Sequence, residues 1–287
     1  MAHSPDSLDS PVLSLKKATL RFGDRTLWKE LDLTVRRGEF IAILGPNGTG
    51  KTSLLKVLLG LNKLTKGSVV IQGTPPHKGN SEVGYIPQQK TFDRDLPIRG
   101  RDLVHFGLDG HRFGITHHDK AAMKRVDEVI KEVGAAQYAN NQIGLLSGGE
   151  QQRLRIAQSL LSKPGLLLCD EPLLSLDLKS QQSVSALIDL YRHRDGTSVL
   201  FVTHDINPIL DMVDRVLYLA GGKWAIGTPE EVLTTETLSQ LYGLPVDVLK
   251  VRGRIIVVNA SDNTGLNGHH HAQTSNVETH KEPGGEL

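Results

Sequence analysis

The chain of 287 residues carries 33 basic and 32 acidic side chains, which gives a net charge of +1. This balance argues against a protein that coats nucleic acid, because such proteins usually carry a clear excess of basic residues. Its hydrophobic fraction of 38% suits one large α/β domain or two small ones, and its single cysteine, Cys169, excludes an internal disulfide. The N-terminus does not resemble a signal peptide and the apolar runs are too short to span a bilayer, so we expect a soluble cytoplasmic protein that meets a membrane only through a partner.

The N-terminal part of the chain predicts strands around one helix. Residues 12–35 alternate apolar and polar side chains around a turn at Gly23-Asp24, which predicts antiparallel strands. The apolar run at residues 39–44 is typical of a strand buried on both faces. A helix is expected over residues 52–61, where four leucines form two i,i+4 pairs, and short strands are expected at 69–71 and 83–86.

The remainder of the chain alternates helices and strands. We predict a helical insert over about residues 90–163, strands at 165–169, 198–203 and 216–219, helices at 177–191 and 230–241, and strand-like chain at 246–258. This alternation predicts an α/β fold with a largely parallel sheet. We expect a flexible N-terminus over residues 1–11 and one folded domain over 12–260. Residues 261–287 lack Phe, Trp, Tyr and Ile and predict a disordered tail that contains histidines.

The most specific motif lies between the apolar run at 39–44 and the predicted helix that follows, as the pattern G-x-x-x-x-G-K-[ST] requires. Gly48 and Gly50 let the backbone approach phosphate oxygens, and Lys51 can neutralise the outer phosphates. Thr52 can offer its hydroxyl to Mg²⁺. The predicted nucleotide-binding residues are Gly45, Pro46, Asn47, Gly48, Thr49, Gly50, Lys51, Thr52 and Ser53.

Two adjacent carboxylates end the predicted strand at 165–169. Asp170 can hold the magnesium shell, and Glu171 can act as general base toward the attacking water. An ordinary strand that ends in a solvated acidic turn would show the same residues, so the assignment depends on the phosphate-binding motif elsewhere in the chain.

A third motif, Leu146-Ser147-Gly148-Gly149-Glu150, opens a predicted helix. Ser147 can cap that helix, and the two glycines leave backbone amides accessible to a second anion. A plain N-cap is the alternative that the same residues allow.

Leu-Ser-Gly-Gly-Glu between the other two motifs is the signature of ABC (ATP-binding cassette) ATPases, and the chain resembles this family over about residues 12–258. The resemblance implies a P-loop NTPase fold of the RecA-like type, with a parallel-sheet core, an antiparallel β subdomain and an inserted helical subdomain. Phe22 resembles the aromatic residue that stacks on adenine. Gln88 resembles the Q-loop glutamine that joins Thr52 and Asp170 at Mg²⁺, although Gln89 is the adjacent alternative.

Two further residues complete the resemblance. Asp177 resembles the D-loop aspartate, and His204 resembles the switch histidine that contacts the γ-phosphate, although a histidine at a strand end is also a common polar cap. The family pattern implies a head-to-tail dimer, in which the P-loop of one copy and Ser147, Gly148, Gly149 and Glu150 of the other enclose one ATP. It also implies an integral membrane permease and, indirectly, an extracytoplasmic solute-binding protein as partners, with the chain at the cytoplasmic side of the membrane.

The cargo can be inferred only from resemblance. Short segments at 95–98, 102–104, 203–208, 227–232 and 241–243 are similar to those of zinc and manganese importer ATPases, and siderophore and haem importers share part of the pattern. In the tail, His269, His270, His271 and His280 could bind metal or could be an accidental cluster. His111, His117 and His118 are expected at the surface.

Other classes fit less well. ABC ATPases of DNA repair or ribosome work usually carry tandem cassettes or coiled coils, and this chain has one P-loop and no sustained heptads. A kinase or GTPase would lack the motif found at residues 146–150, and a protein that only binds nucleotide would not need Glu171. Many exporters fuse the ATPase to membrane helices, which this sequence does not show.

Overall fold

The computed structural model of the protein describes residues 10–88, 92–109 and 120–259. Within these ranges the chain forms a six-stranded sheet, a three-stranded sheet and a two-stranded hairpin, together with helices. The strands are β1 (Leu13–Phe22), β2 (Arg25–Val35), β3 (Phe40–Leu44), β4 (Lys66–Ile71), β5 (Val83–Ile86), β6 (Leu166–Asp170), β7 (Ser198–Val202), β8 (Arg215–Ala220), β9 (Lys223–Gly227), β10 (Val246–Val251) and β11 (Arg254–Asn259). The α-helices are α1 (Lys51–Leu58), α2 (Gly100–Asp109), α3 (Lys120–Glu132), α4 (Gly148–Leu160), α5 (Leu178–Asp195), α6 (Pro229–Val232) and α7 (Thr235–Tyr242).

The six-stranded sheet has the order β5-β6-β7-β3-β8-β9 and is parallel except for β9, which runs antiparallel to β8. Every residue of β3, β6 and β7 is buried, as expected when both faces of a parallel sheet are covered. This sheet confirms the predicted α/β fold. Because the strands β5, β6, β7 and β3 are neighbours and parallel, the segments that follow them meet at one edge of the sheet.

The three-stranded antiparallel sheet, of order β2-β1-β4, covers one face of the parallel sheet. Leu13 and Trp28 from this sheet share a hydrophobic cluster with Ile41 of β3, Leu54 of α1 and Leu166 of β6. The antiparallel strands predicted over residues 12–35 are therefore present, and they close one side of the core.

The other face of the parallel sheet packs against helices. Val104 of α2, Val126 of α3 and Leu154 of α4 belong to one cluster with Phe40 and Phe201 of the sheet. The described part of the segment between β5 and β6 contains the helices α2, α3 and α4, joined by loops and a 3₁₀ turn at Ile143–Leu145. Among the described residues, no helix is long and apolar enough to cross a membrane.

Two local predictions needed correction, and one strand was missed. The single helix predicted over 230–241 is two helices, α6 and α7, because the Thr234 side chain accepts a hydrogen bond from the Thr237 amide and starts a new helix. The strand-like segment 246–258 is a hairpin that turns at Arg252-Gly253, and both turn residues have positive φ. Strand β9 was not predicted, although the Gly221-Gly222 turn before it was visible in the sequence. The predicted N-terminal segment through residue 9, the histidines at 111, 117 and 118, and the tail from residue 261 lie outside the described residues.

Candidate nucleotide-binding site

The loop between β3 and α1 has a backbone that only glycine can adopt at its key positions. Gly45 has φ of 135°, and a Cβ there would overlap the carbonyl oxygen of Leu219. Gly50 has φ of 99°, and a Cβ there would lie 3.0 Å from the indole nitrogen of Trp28. The loop therefore presents bare backbone at the start of α1, whose first-turn amides have no partner within the helix. This is the arrangement that binds phosphate.

The side chain of Lys51 is held in this loop. Its ammonium donates hydrogen bonds to the carbonyl oxygens of Gly45, at 2.6 Å, and Pro46, at 3.0 Å. Burial lowers the pKa of Lys51, while the nearby carboxylates of Glu171 and Asp170 act in the opposite direction. A buried cation between two carboxylates and a glycine-rich loop is well placed to receive an anion.

Asp170, the last residue of β6, is almost fully buried. Its carboxylate accepts hydrogen bonds from the Thr52 hydroxyl, at 3.1 Å, and from the Tyr85 hydroxyl, at 3.4 Å. Burial raises the pKa of Asp170, against the hydrogen bond from Thr52. Burial and the charge of Asp170 also raise the pKa of Tyr85 to about 12, so Tyr85 stays a hydrogen-bond donor at neutral pH.

These oxygen atoms suit Mg²⁺, which is usually held by one or two protein oxygens, with water and substrate phosphates completing its shell. The described residues contain no cluster of three or more His, Cys, Asp or Glu side chains that would form a complete protein cage. The donor set of Thr52 and Asp170 therefore fits magnesium bound together with a nucleotide.

Three polar residues come together at the carboxyl ends of β5, β6 and β7. Gln88 follows β5, and its side-chain amide donates a hydrogen bond of 3.3 Å to the carboxylate of Glu171. Glu171 follows β6 in a left-handed conformation with φ of 48°, held by a hydrogen bond from its amide to the carbonyl oxygen of Val202. His204 follows β7 and is exposed. A non-glycine residue in this conformation is costly, and such strain is commonly found at functional sites.

These residues and the phosphate-binding loop line a single cavity of about 810 Å³. Phe22 lies in its wall with 52% of its surface exposed. The cavity is lined by Phe22, Arg25, Leu27, Asn47, Gly48, Gly50, Lys51, Thr52, Ser53, Gln88, Glu171, Leu174 and His204. Gln89, the alternative to Gln88, lies outside the described residues.

Sequence reasoning missed several residues of this cavity. Arg25 donates a hydrogen bond of 2.8 Å to the carbonyl oxygen of Gly48 and is paired with Phe22 across the β1–β2 turn. The turn at Gly23-Asp24 was visible in the sequence and could have indicated this pair. The sequence gives no sign that Leu27 and Leu174 line the cavity or that the Tyr85 hydroxyl donates a hydrogen bond to Asp170. Each of these features depends on how distant segments pack.

The signature residues lie outside the lining of that cavity. Ser147 caps α4, accepting a hydrogen bond from the Glu150 amide, while the Glu150 carboxylate accepts one from the Ser147 amide. The predicted N-cap is thus present as a capping box. A Cβ on Gly149 would lie 2.9 Å from the Ser180 hydroxyl oxygen, so α4 and the start of α5 touch here.

Asp177 caps α5 beside this contact. Its carboxylate accepts hydrogen bonds from the Ser180 amide, at 3.0 Å, and the Ser180 hydroxyl, at 2.7 Å. The hydrogen bond from the Ser180 side chain lowers the pKa of Asp177, which therefore remains charged. Capping accounts for the local geometry of Ser147, Glu150 and Asp177. The action of the signature residues on a partner's nucleotide and the D-loop role of Asp177 stay predictions.

Comparison with known proteins agrees with this geometry. Residues 28–174 match the ABC transporter family, and the chain belongs to it. The protein is an ATP-binding subunit with ATPase activity, as this family membership and its ATP-binding relatives indicate.

Two similar proteins are named as ATP-binding proteins of metal transport systems. The chain is 32% identical over 238 residues to the manganese transport system ATP-binding protein MntB of Bacillus subtilis, which covers 83% of this chain and 95% of MntB. It is 34% identical over 225 residues to the zinc transport system ATP-binding protein TroB of Treponema pallidum, which covers 78% of this chain and 84% of TroB.

Solved structures share the fold. An inward-facing ABC transporter of the metal-chelate type superposes with a TM-score of 0.73 at 24% identity, covering 87% of this chain and 96% of that chain. A dimeric ATP-binding cassette bound to ADP and Pi superposes with a TM-score of 0.62 at 28% identity, covering 75% of this chain and 98% of that chain. The predicted P-loop NTPase fold is confirmed.

Proposed function

We propose that this ATPase energises the import of a divalent metal ion, zinc or manganese, through a separate membrane permease. The proposal is supported by the named functions of MntB and TroB, which align over most of this chain. The protein would act at the cytoplasmic side of the membrane, bound to the permease, and would depend indirectly on an extracytoplasmic solute-binding protein.

In the proposed site, the phosphate-binding loop holds ATP. The backbone of Gly45 to Gly50 and the start of α1 surround the phosphates, and Lys51 moves from the carbonyl oxygens of its own loop to the outer phosphates. Thr49 and Ser53 lie on either side of the Gly50–Thr52 segment in the same loop and helix. The exposed ring of Phe22 stacks on the adenine.

The carboxylate of Glu171 accepts a proton from the attacking water as the water oxygen bonds to the γ-phosphorus, and the bond from that phosphorus to the β–γ bridging oxygen breaks with ADP as the leaving group. Gln88 fixes the orientation of that carboxylate through its hydrogen bond, and His204 donates a hydrogen bond to the γ-phosphate. Bound Mg²⁺, held by Thr52, Asp170 and Gln88, would neutralise charge on the phosphates. The ATPase cavity itself does not contact the cargo.

A second copy of the chain completes the proposed site. Ser147, Gly148, Gly149 and Glu150 lie off the cavity of their own chain, so we propose that they face the nucleotide of a partner in a head-to-tail dimer. The similar cassette bound to ADP and Pi is dimeric, which supports the association of two copies. In such a dimer the γ-phosphate of ATP would be contacted by both copies. Hydrolysis would remove that shared contact, the two copies would separate, and this motion would drive the permease.

The observation that carries the hydrolytic assignment is the convergence of Lys51, Gln88, Glu171 and His204 on one cavity. The cargo is tested separately, by uptake of radiolabelled zinc or manganese in cells that express either the normal chain or Lys51→Ala in place of the native gene. Uptake of one of these metals should be lost with Lys51→Ala and retained with the normal chain. Normal zinc and manganese uptake in the variant, together with impaired use of iron chelates, would instead identify a siderophore or haem importer.

A further inference from the structure

The loop that carries His204 is tied to the C-terminal hairpin by one side chain. The side-chain amide of Asn207 donates a hydrogen bond of 3.0 Å to the carbonyl oxygen of Ile255, and its oxygen accepts one of 2.8 Å from the Ile255 amide. Asn207 thereby pairs with the outer edge of β11 as a neighbouring strand would. The two residues are 48 positions apart in the sequence, so this contact exists only in the folded chain.

The same amide also fixes the loop itself. Its second hydrogen points to the carboxylate of Asp205, at 2.7 Å, and the Asn207 backbone amide donates to the same oxygen at 2.9 Å. Both side-chain hydrogens and the side-chain oxygen of Asn207 are therefore engaged. On the other side of His204, the Thr203 hydroxyl donates to the Asp205 carbonyl oxygen and accepts from its amide.

His204 thus lies between two anchors. His204 is exposed, so the backbone on either side determines where its imidazole lies. Thr203 fixes one side locally, and Asn207 fixes the other to the hairpin. His204 and the loop residues Pro46 and Asn47 line one part of a second cavity, of about 520 Å³, and Ile255 and Val257 of the hairpin line another part.

We propose that Asn207 is a positioning residue for ATP hydrolysis, which uses the β10–β11 hairpin as the fixed support that sets the location of His204. This inference depends on the proposed role of His204 at the γ-phosphate. The hairpin can serve as a support because its other end is held independently. The Ser239 hydroxyl accepts a hydrogen bond from the Val246 amide and donates one to its carbonyl oxygen, and Thr235 accepts one from the Val248 amide.

The proposal predicts a selective kinetic defect. Asn207→Ala removes all three side-chain hydrogen bonds, and displacement of a catalytic group by about 1 Å can lower a rate about 100-fold. We expect kcat for ATP hydrolysis to fall about 10- to 100-fold, with KM for ATP changed less than about twofold, because the phosphate-binding loop is untouched. Ser239→Ala, the matched control, removes two hydrogen bonds at the far end of the hairpin but leaves the bond from the Val248 amide to Thr235 and both Asn207–Ile255 bonds in place, so kcat should stay close to the normal value.

A double-mutant cycle with His204→Ala tests the route of the effect. If Asn207 acts through His204, then adding Asn207→Ala to His204→Ala should cause no further loss of kcat. Equal proportional losses from Asn207→Ala in both backgrounds would overturn the proposal. A normal rate in His204→Ala alone would show that the proposed role of His204 fails, whereas a loss in His204→Ala with a normal rate in Asn207→Ala would overturn the positioning role alone.

Hydrogen exchange gives a readout independent of activity. Asn207→Ala should accelerate amide exchange in residues 203–209 and at Ile255, whereas Ser239→Ala should accelerate it only around Val246 and in α7. If Asn207→Ala does not fold, Asn207→Asp is the second variant, since it keeps the oxygen that accepts from the Ile255 amide and loses both donated hydrogen bonds. It should show the same loss of kcat with unchanged KM. Unaltered exchange at 203–209 in a variant with low kcat would overturn the proposal.

Discussion

Replacing Glu171 with glutamine tests the proposed chemistry most directly, because the change removes a proton acceptor and little else. The backbone at φ of 48° and its hydrogen bond to Val202 do not involve the side chain, so the local strain is unchanged. The glutamine oxygen can still accept the hydrogen bond from Gln88 that the carboxylate accepts at 3.3 Å. Loss of a general base typically lowers a rate 10²- to 10⁴-fold, which raises the barrier by about 3–5 kcal/mol.

ATP binding should survive this substitution. The glutamine leaves Lys51 and the phosphate-binding loop in place, and it removes one negative charge from beside the phosphates, so affinity should be equal or higher. We expect phosphate release at saturating ATP to fall by the factor above, while the variant accumulates as an ATP-bound dimer on size exclusion. Glu236→Gln, the same chemical change on the exposed first turn of α7, serves as the control. Steady-state hydrolysis by Glu171→Gln at the normal rate would refute the general-base assignment.

Three other substitutions test separate parts of the structure. Lys51→Ala should weaken ATP binding itself, measured by titration calorimetry, since the outer phosphates lose their cation; unaltered affinity would contradict the phosphate-binding assignment. Ser147→Arg should block dimerisation while ATP still binds the monomer. Mixing this variant with Lys51→Ala should restore some ATPase activity, because in a head-to-tail dimer of the two variants one of the two nucleotide sites carries neither change. Normal activity of Ser147→Arg alone would refute a nucleotide site shared between two copies. Arg192→Leu should lower the free energy of unfolding by about 2 kcal/mol, because the half-buried guanidinium donates hydrogen bonds to the carbonyl oxygen of Gly38 at 2.7 Å and to the carboxylate of Asp214 at 2.6 Å; an unchanged urea midpoint would contradict this prediction, and Arg254→Leu on the exposed hairpin is its control.

Apart from the residues that the family resemblance indicated, the features that the sequence predicted are those that depend on local interactions. The P-loop is eight contiguous residues, and Gly45 and Gly50 are required by their own backbone conformations and close neighbours. The cap of α4 needs only Ser147 and Glu150, three residues apart. The buried strand β3 is recognisable in the sequence as an apolar run, because both faces of a parallel sheet are covered.

Tertiary structure decided what depends on strand order and on contacts between distant segments. Gln88 and Glu171 are 83 residues apart, and they meet because β5 and β6 are neighbours and parallel. The hydrogen bond from Tyr85 to Asp170, the approach of Arg25 to Gly48 and the link from Asn207 to Ile255 follow from the same packing. None of these contacts has a periodic or local signature, because a side-chain hydrogen bond across the fold requires only one donor and one acceptor that the chain happens to bring together. The sequence alone therefore indicated the class of chemistry, and the packing of the sheet brought the residues that carry it together around one cavity.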